Sequence, residues 1–421
     1  MNLVKKEPYS DRIFTLFVFF LPFLYQYKGI APQLSLGETL LAPFLLMFLA
    51  KELFVHKSKT DGYLLLFYFV SCFTTLLNSA YVYFVPADAS TVFIRLVFYG
   101  ILIYVCRTHI CLDYGKKIYI AAVFLFSVYL IIQYVYNLAT KDYLPIYLKA
   151  DWQFPPEARP KLNEYYKFTF RASSLFLEPS YFALFSLPSV AILVFDDVKK
   201  TLKKYAATLV ICVAIILSQA TSGVAGLGVI VIVYVFGRND TYKKRGTWIR
   251  ALTIIVVVLI SFLYMRYAND SVLVERASTG GSFDLRITRG FITYDALSWI
   301  HKIFGVGLNE LEPYAKYYYI RTPYDENNLN YCCSMLQTLN FSGVVGFVSL
   351  LAYLIHFKKG LNGQTAPALF WILVFIMCYE SIMFTYRFAF YIVLIEAFAR
   401  KYSLETEKKY STMTSAAQKF S

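Results

Sequence analysis

The sequence predicts an all-α integral membrane protein: about twelve transmembrane helices forming one polytopic membrane domain over residues 1–421, with two long outer loops, the second containing short helices. Three observations predict it. Hydrophobic residues make up 58% of the chain and charged residues only 16%, too few charges for a soluble protein of this length. Apolar runs near the length that crosses a bilayer recur along the chain. Finally, Lys and Arg collect in every second short loop, the positive-inside pattern.

Taken in order, the apolar runs lie near 13–30, 38–55, 62–82, 90–106, 118–138, 173–195, 204–220, 223–237, 249–267, 334–356, 366–384 and 386–400. The first, beginning at Ile13, lacks a small-residue cleavage site and reads as a transmembrane helix, not a signal peptide. Lys5, Lys6 and Arg12 precede it; Lys51, Lys57 and Lys59 follow the second run; Arg107, Lys116 and Lys117 follow the fourth. The basic loops continue at Lys199–Lys204, Arg238–Arg245, Lys358–Lys359 and Arg400–Lys409, whereas loops 83–89 and 218–223 carry no Lys or Arg. Both termini are therefore expected in the cytoplasm. The net charge of +14 is explained largely by these loops, and no nucleic-acid partner is implied. The aromatic content of 19% suits interfacial belts.

Two connections break the short-loop rule, 139–172 and 268–330, and both are expected outside. Long loops of this kind are usually functional or disordered. In the second, DLRITRGFITYDALSWIHKIF places Leu285, Ile287, Phe291, Ile292, Leu297, Trp299 and Ile300 at roughly helical spacing, which predicts an amphipathic helix. Gly305-Val306-Gly307 then reads as a tight turn, with no case for nucleotide binding. His301, just before it, reads as an ordinary loop residue.

Charges within or at the ends of spans are biased to one side. Arg95, Glu178, Arg266, Glu380 and Arg387 all map to outer halves, and Glu396 to an inner end. Charges also frequent helix ends by snorkelling, but Arg95 lies inside an apolar run, VFIRLVFYG. In FRASSLFLEPSYFALFSLP, Arg171 leads into apolar sequence where Glu178 is followed by Pro179. An intramembrane charge costs about 2.5–3.5 kcal/mol and usually has a task. Proline removes a backbone donor and biases the preceding residue away from helix. The pair reads equally as a broken helix end lining a wet cavity or as a kinked helix whose Glu reaches the interface. The seven cysteines show no metal or disulfide spacing, and no metal or other cofactor is called for.

Four stretches together resemble the O-antigen polymerase (Wzy) and O-antigen ligase superfamily. RASSLFLEPSYFA is similar to its arginine-led motif, and ILSQATSGVAGLGVIVIVYVF to a Ser-rich turn followed by Gly and aliphatics. RGFITYDALSWIHKIFGVGLNEL resembles the outer-loop segment ending in GxG, and NNLNYCCSMLQTLNFSGVVGFVSLL a helix entry with Asn and G-x-x-G. Ligases commonly carry a His before that Asn; here Asp325-Glu326-Asn327-Asn328 has none, which favours a polymerase. Spaced Arg-to-Gly loop repeats known from some polymerases are not evident.

The resemblance implies a membrane glycosyltransferase in a bacterial cytoplasmic (inner) membrane, with its active site facing the periplasm or exterior. Its partners would be undecaprenyl-pyrophosphate-linked oligosaccharide and membrane lipid, with room for a chain-length regulator. The product would be O-antigen, capsule or a related polysaccharide. An anionic pyrophosphate leaving group calls for arginines, whose planar forks bind phosphate oxygens. Arg171, Arg286 and Arg289 are the catalytic candidates, the last two sharing a face if their segment is helical. Glu178 is the candidate base for the acceptor hydroxyl, or the group that orients Arg171. Arg95, Tyr318, Tyr324 and Asn328 are candidate substrate-binding residues, with the Tyr314–Tyr324 run able to stack on sugars or to serve as an interfacial belt. An O-antigen ligase is the nearest enzymatic alternative. A lipid-linked oligosaccharide flippase or secondary transporter is the alternative of another class, though no internal repeat supports it.

Overall fold

In lipid every backbone polar group must be satisfied within the protein, which leaves apolar runs the helix as their local solution. The structure is a computed structural model that describes residues 8–30, 34–56, 61–146, 148, 170–196, 201–236, 284–323 and 329–417. Helices occupy eleven of the twelve apolar positions; the run at 249–267 lies outside the described residues. They are α1 (Tyr9–Leu24), α2 (Leu36–Lys51), α3 (Gly62–Asn78), α4 (Pro86–His109), α5 (Leu112–Thr140), α6 (Pro179–Phe195), α7 (Leu202–Leu217) and α8 (Thr221–Phe236). Three short helices follow, α9 (Arg289–Asp295), α10 (Trp299–Phe304) and α11 (Leu311–Tyr317), then α12 (Ser334–Lys359), α13 (Thr365–Tyr379) and α14 (Tyr386–Ala417). Among the described residues α4, α5 and α12 are long and apolar enough to cross a membrane; α3, α6, α8 and α13 are apolar but shorter.

Helix α6 is the centre of the fold. Nearly every residue from Phe182 to Phe195 is buried, as expected of a helix that is hydrophobic all round. It packs against α5, α7, α8 and α13. Pro188 lies within it and has no N–H for the carbonyl of Leu184 four residues back. Tyr391 of α14 donates its hydroxyl to that carbonyl at 2.9 Å, and Tyr119 of α5 donates to the next one, at Phe185. Two tyrosines thus supply in the core what water cannot.

The sequence places this span from residue 173; the helix starts six residues later, at Pro179. Glu178 is extended, at φ −136° and ψ 146°, and Pro179 is the first helical residue. Proline is at home there, because that N–H has no helical partner anyway. The broken-end reading of Glu178-Pro179 therefore describes the backbone. The amphipathic helix expected over 284–304 is also corrected. A π-helical turn at Asp284–Thr288 leads into α9, and the chain breaks at 296–298 before α10. Local spacing shows the apolar face but not where tertiary contacts interrupt it.

The Gly305-Val306-Gly307 turn has a structural purpose. Helix α12 breaks at Gly343, where φ is +65°. The turn inserts there, and Val306 and Gly307 donate their N–H groups to the carbonyls of Asn340 and Phe341 at 3.0 and 2.9 Å. A Cβ on Gly343 would lie 2.1 Å from the Ile303 carbonyl oxygen. Gly343→Ala is expected to lower the thermal midpoint in detergent, since φ +65° with ψ −168° is a backbone almost confined to glycine and alone costs other residues about 1–3 kcal/mol. Gly228→Ala, whose Cβ meets nothing within 4 Å, is the control that should stay near the parent midpoint.

Candidate active site

Four arginines approach one group of tyrosines. Arg286, in the turn before α9, directs Nη1 to Glu380 Oε1 at 2.7 Å, with both side chains largely buried. Its guanidinium lies 5.4 Å from the ring of Tyr331 and 5.2 Å from that of Tyr379. Glu380 follows α13, and its backbone carbonyl accepts from both the N–H and the hydroxyl of Ser334 at the start of α12. The Ser334 hydroxyl in turn accepts from the N–H groups of Ile382 and Met383. One serine thereby fixes the corner that carries the carboxylate. Arg289 donates to the Tyr331 carbonyl at 2.8 Å, so two arginines position Tyr331.

Arg387, in the first turn of α14, is held differently. Its guanidinium sits 4.0 Å from the Tyr181 ring, and Nε donates to the Tyr386 hydroxyl at 3.0 Å. Among the described residues no carboxylate pairs with it, and its terminal nitrogens make no hydrogen bond. Tyr386 packs on Tyr25 with ring centroids 4.0 Å apart, and Arg95 lies 5.9 Å from the Tyr25 ring. Arg95 also approaches Glu38 to 3.9 Å. Glu38 is anchored from both sides: it closes the capping box of α2 with Ser35, and it accepts from the Tyr99 hydroxyl at 2.5 Å.

Glu178 is exposed at the N-terminal end of α6, where it accepts from the Ser180 hydroxyl at 3.0 Å. Its charge acts on Tyr181, Tyr331 and Tyr386, the same tyrosines that feel Arg387. Tyr331 lies in the combined field of Glu380, Arg286, Glu178 and Arg387. The arrangement offers one open guanidinium, two further cations partly offset by buried carboxylates, and one accessible carboxylate. Such a set can bind a multiply charged oxyanion and take a proton beside it.

Glu178, Arg286, Arg289 and Arg95 thus share a neighbourhood. Arg286 and Arg289 both reach Tyr331, one at its ring and the other at its carbonyl, while Arg286 also turns to Glu380. Arg171 is buried and donates to the carbonyl of Gln219, a residue with φ +53° in the turn between α7 and α8. Tyr318 packs on Tyr314 and Tyr83 with 48% of its surface exposed. Tyr324 and Asn328 lie outside the described residues. His301 is no ordinary loop residue: it is buried between Tyr83 and Ser298, 3.1 and 2.7 Å from their hydroxyls.

The sequence placed Arg387 and Glu380 on the outer side but did not assign them to the site. Tyr25, Tyr181, Tyr331 and Tyr386 carried no signal among 37 tyrosines.

A search of curated proteins returns no match. A model of the WcaD colanic acid polymerase family matches residues 118–400, about two thirds of the chain. The match includes Glu178, Arg286, Arg289, Glu380 and Arg387, and leaves Arg95 outside it. This narrows the broad superfamily resemblance to a polymerase family, and the chain belongs to the WcaD colanic acid polymerase family, a polysaccharide polymerase with the apolar helices of a membrane protein.

Proposed function

We propose that the protein joins lipid-linked oligosaccharide repeat units, of the colanic acid or a related type, at the outer face of the cytoplasmic membrane. The observation that carries this reading is Arg387, a guanidinium held by aromatic rings and a phenol with its terminal donors uncommitted. The growing chain would be held by its undecaprenyl pyrophosphate, with Arg387, Arg286 and Arg95 around the phosphate oxygens. An acceptor hydroxyl attacks the anomeric carbon of the chain. The new C–O bond forms as the bond to pyrophosphate breaks, and the electron pair leaves with the undecaprenyl pyrophosphate. Glu178 takes the hydroxyl proton and returns it to solvent. Arg171 and Arg289 hold the adjacent turns and help shape the phosphate site. The arginines stabilise charge where it develops, on the leaving oxygens.

A clean deletion, complemented with the parent gene or with Glu178→Gln, tests the reading on a surface-polysaccharide gel. Single repeat units in the deletion strain are the expected result. Loss of polymer from the lipid A core alone would mark a ligase, and unchanged glycans a transporter of something else. Glu178→Gln keeps the side chain's shape and is expected to lower polymer yield about 10²–10⁴-fold at matched membrane levels, the usual size of a proton-transfer contribution. Full polymer from Glu178→Gln would remove Glu178 as the base.

A further inference from the structure

Beside the arginines lies a cleft of about 660 Å³, within the usual range for small-molecule sites. Val85 and Asp88 at the start of α4 form one side, and Asn309, Glu312, Pro313, Lys316, Asn330 and Tyr331 the other. Tyr331 is the shared wall: it lines the cleft and is also the ring neighbour of Arg286. The cleft's own chemistry differs from that of the arginine group. Asp88, in the first turn of α4, accepts no side-chain hydrogen bond or ion pair from the described residues. Across from it, Glu312 is paired with Lys316 at 2.7 Å. Asn309 and Asn330 add amide and backbone groups, with the Asn330 side chain already fixed by bonds to the Glu312 N–H and the Asn309 carbonyl.

Behind the floor lies a further carboxylate. Glu310 is fully buried, and one of its oxygens accepts from the Val85 N–H at 2.9 Å. The other, Oε1, is buried without a hydrogen-bond partner among the described residues. Burial pushes the Glu310 pKa up to about 7; the Val85 N–H opposes this and the charge of Asp88 adds to it.

We infer that this cleft receives the terminal sugar of the acceptor repeat unit, with Asp88 accepting from its hydroxyls. The inference rests on the polymerase reading above and deepens it. Asp88 and Glu312 against Lys316 leave the lining net negative, so a pyrophosphate is repelled there and drawn to the arginines a ring's width away. A neutral polyol meets no such penalty. Carboxylate and amide acceptors beside an amine donor suit its several hydroxyls, and the 40% exposed Tyr331 ring offers an apolar face. The acceptor hydroxyl is then presented at the boundary between an anionic and a cationic pocket, where a proton must leave one partner and negative charge develops on the other.

The test uses the full chain in nanodiscs and, as the probe, soluble repeat-unit oligosaccharide cut from the host polysaccharide and free of lipid and phosphate. Saturation-transfer NMR is expected to show binding to the parent protein. Asp88→Asn and Glu312→Gln, each checked for an unchanged thermal midpoint, are expected to weaken it at least about tenfold, the cost of losing hydrogen bonds to a charged group. Excess inorganic pyrophosphate should leave the signal in place. Parent-like binding by both variants, or displacement by pyrophosphate, would overturn the inference. Either result would leave the polymerase reading standing if the deletion strain still accumulates single units.

Discussion

Arg387→Lys is expected to lower polymer synthesis by about 10²–10³-fold, with the protein still folded in the membrane. The substitution keeps the charge, so a purely electrostatic anchor would survive it. What it removes is the planar fork. Arg387 lies 4.0 Å from the Tyr181 ring and donates through Nε to Tyr386, which aims its other nitrogens as a pair. A lysine ammonium is a flexible point charge and cannot stack on the ring while presenting two parallel donors to a phosphate. The loss of the ring contact costs only about 0.5–2 kcal/mol, so the protein should still accumulate. Polymer length and yield on a gel, normalised to membrane protein, give the readout. Near-parent polymer at matched levels would move the phosphate site away from Arg387 and towards Arg171, whose bond to Gln219 would then have to open.

Glu380→Ala has the largest expected effect on stability. It leaves the Arg286 guanidinium buried without the carboxylate that lies 2.7 Å away. Stranding one member of a buried ion pair costs about 3–5 kcal/mol, enough to unfold many proteins. The corner at Ser334 does not compensate, because its bonds run to the Glu380 backbone and survive the substitution. Membrane yield and the thermal midpoint in detergent should both fall. The double variant Arg286→Met with Glu380→Leu separates folding from function. Replacing both partners with apolar groups should recover most of the stability and none of the activity. A double variant that folds and polymerises normally would show that the pair is structural and remote from the reaction.

The fold was legible where it is local. Apolar length marked helices at eleven positions, whereas the Glu178-Pro179 pair left a broken end and a kinked helix equally open until the backbone showed the helix starting at Pro179. Spacing was weaker between the apolar runs, because residues 284–304 fold as three short pieces that tertiary contacts interrupt. At the site, the residue types were readable and their partners were not. Arg286 stood out beside Arg289, yet nothing nearby in the chain pointed to Glu380, 94 residues on. Arg171 stood out as the head of a motif, and the structure directs it to the Gln219 carbonyl.

The sequence by itself determined that this chain is helical and membrane-embedded, and that most of its charges lie in the loops or at the ends of its apolar runs, with Arg95 inside one. Those properties depend on the transfer cost of each segment, which is set by the residues within it. Only the tertiary structure decided which charge is spent on the fold and which is left to bind. Arg286 and Arg387 are both arginines at the margins of apolar sequence. One meets a buried carboxylate, and the other meets the rings of Tyr181 and Tyr386 and keeps its donors open. That difference arises from how α6, α13 and α14 pack, which brings together side chains far apart in the chain, and no local pattern encodes it.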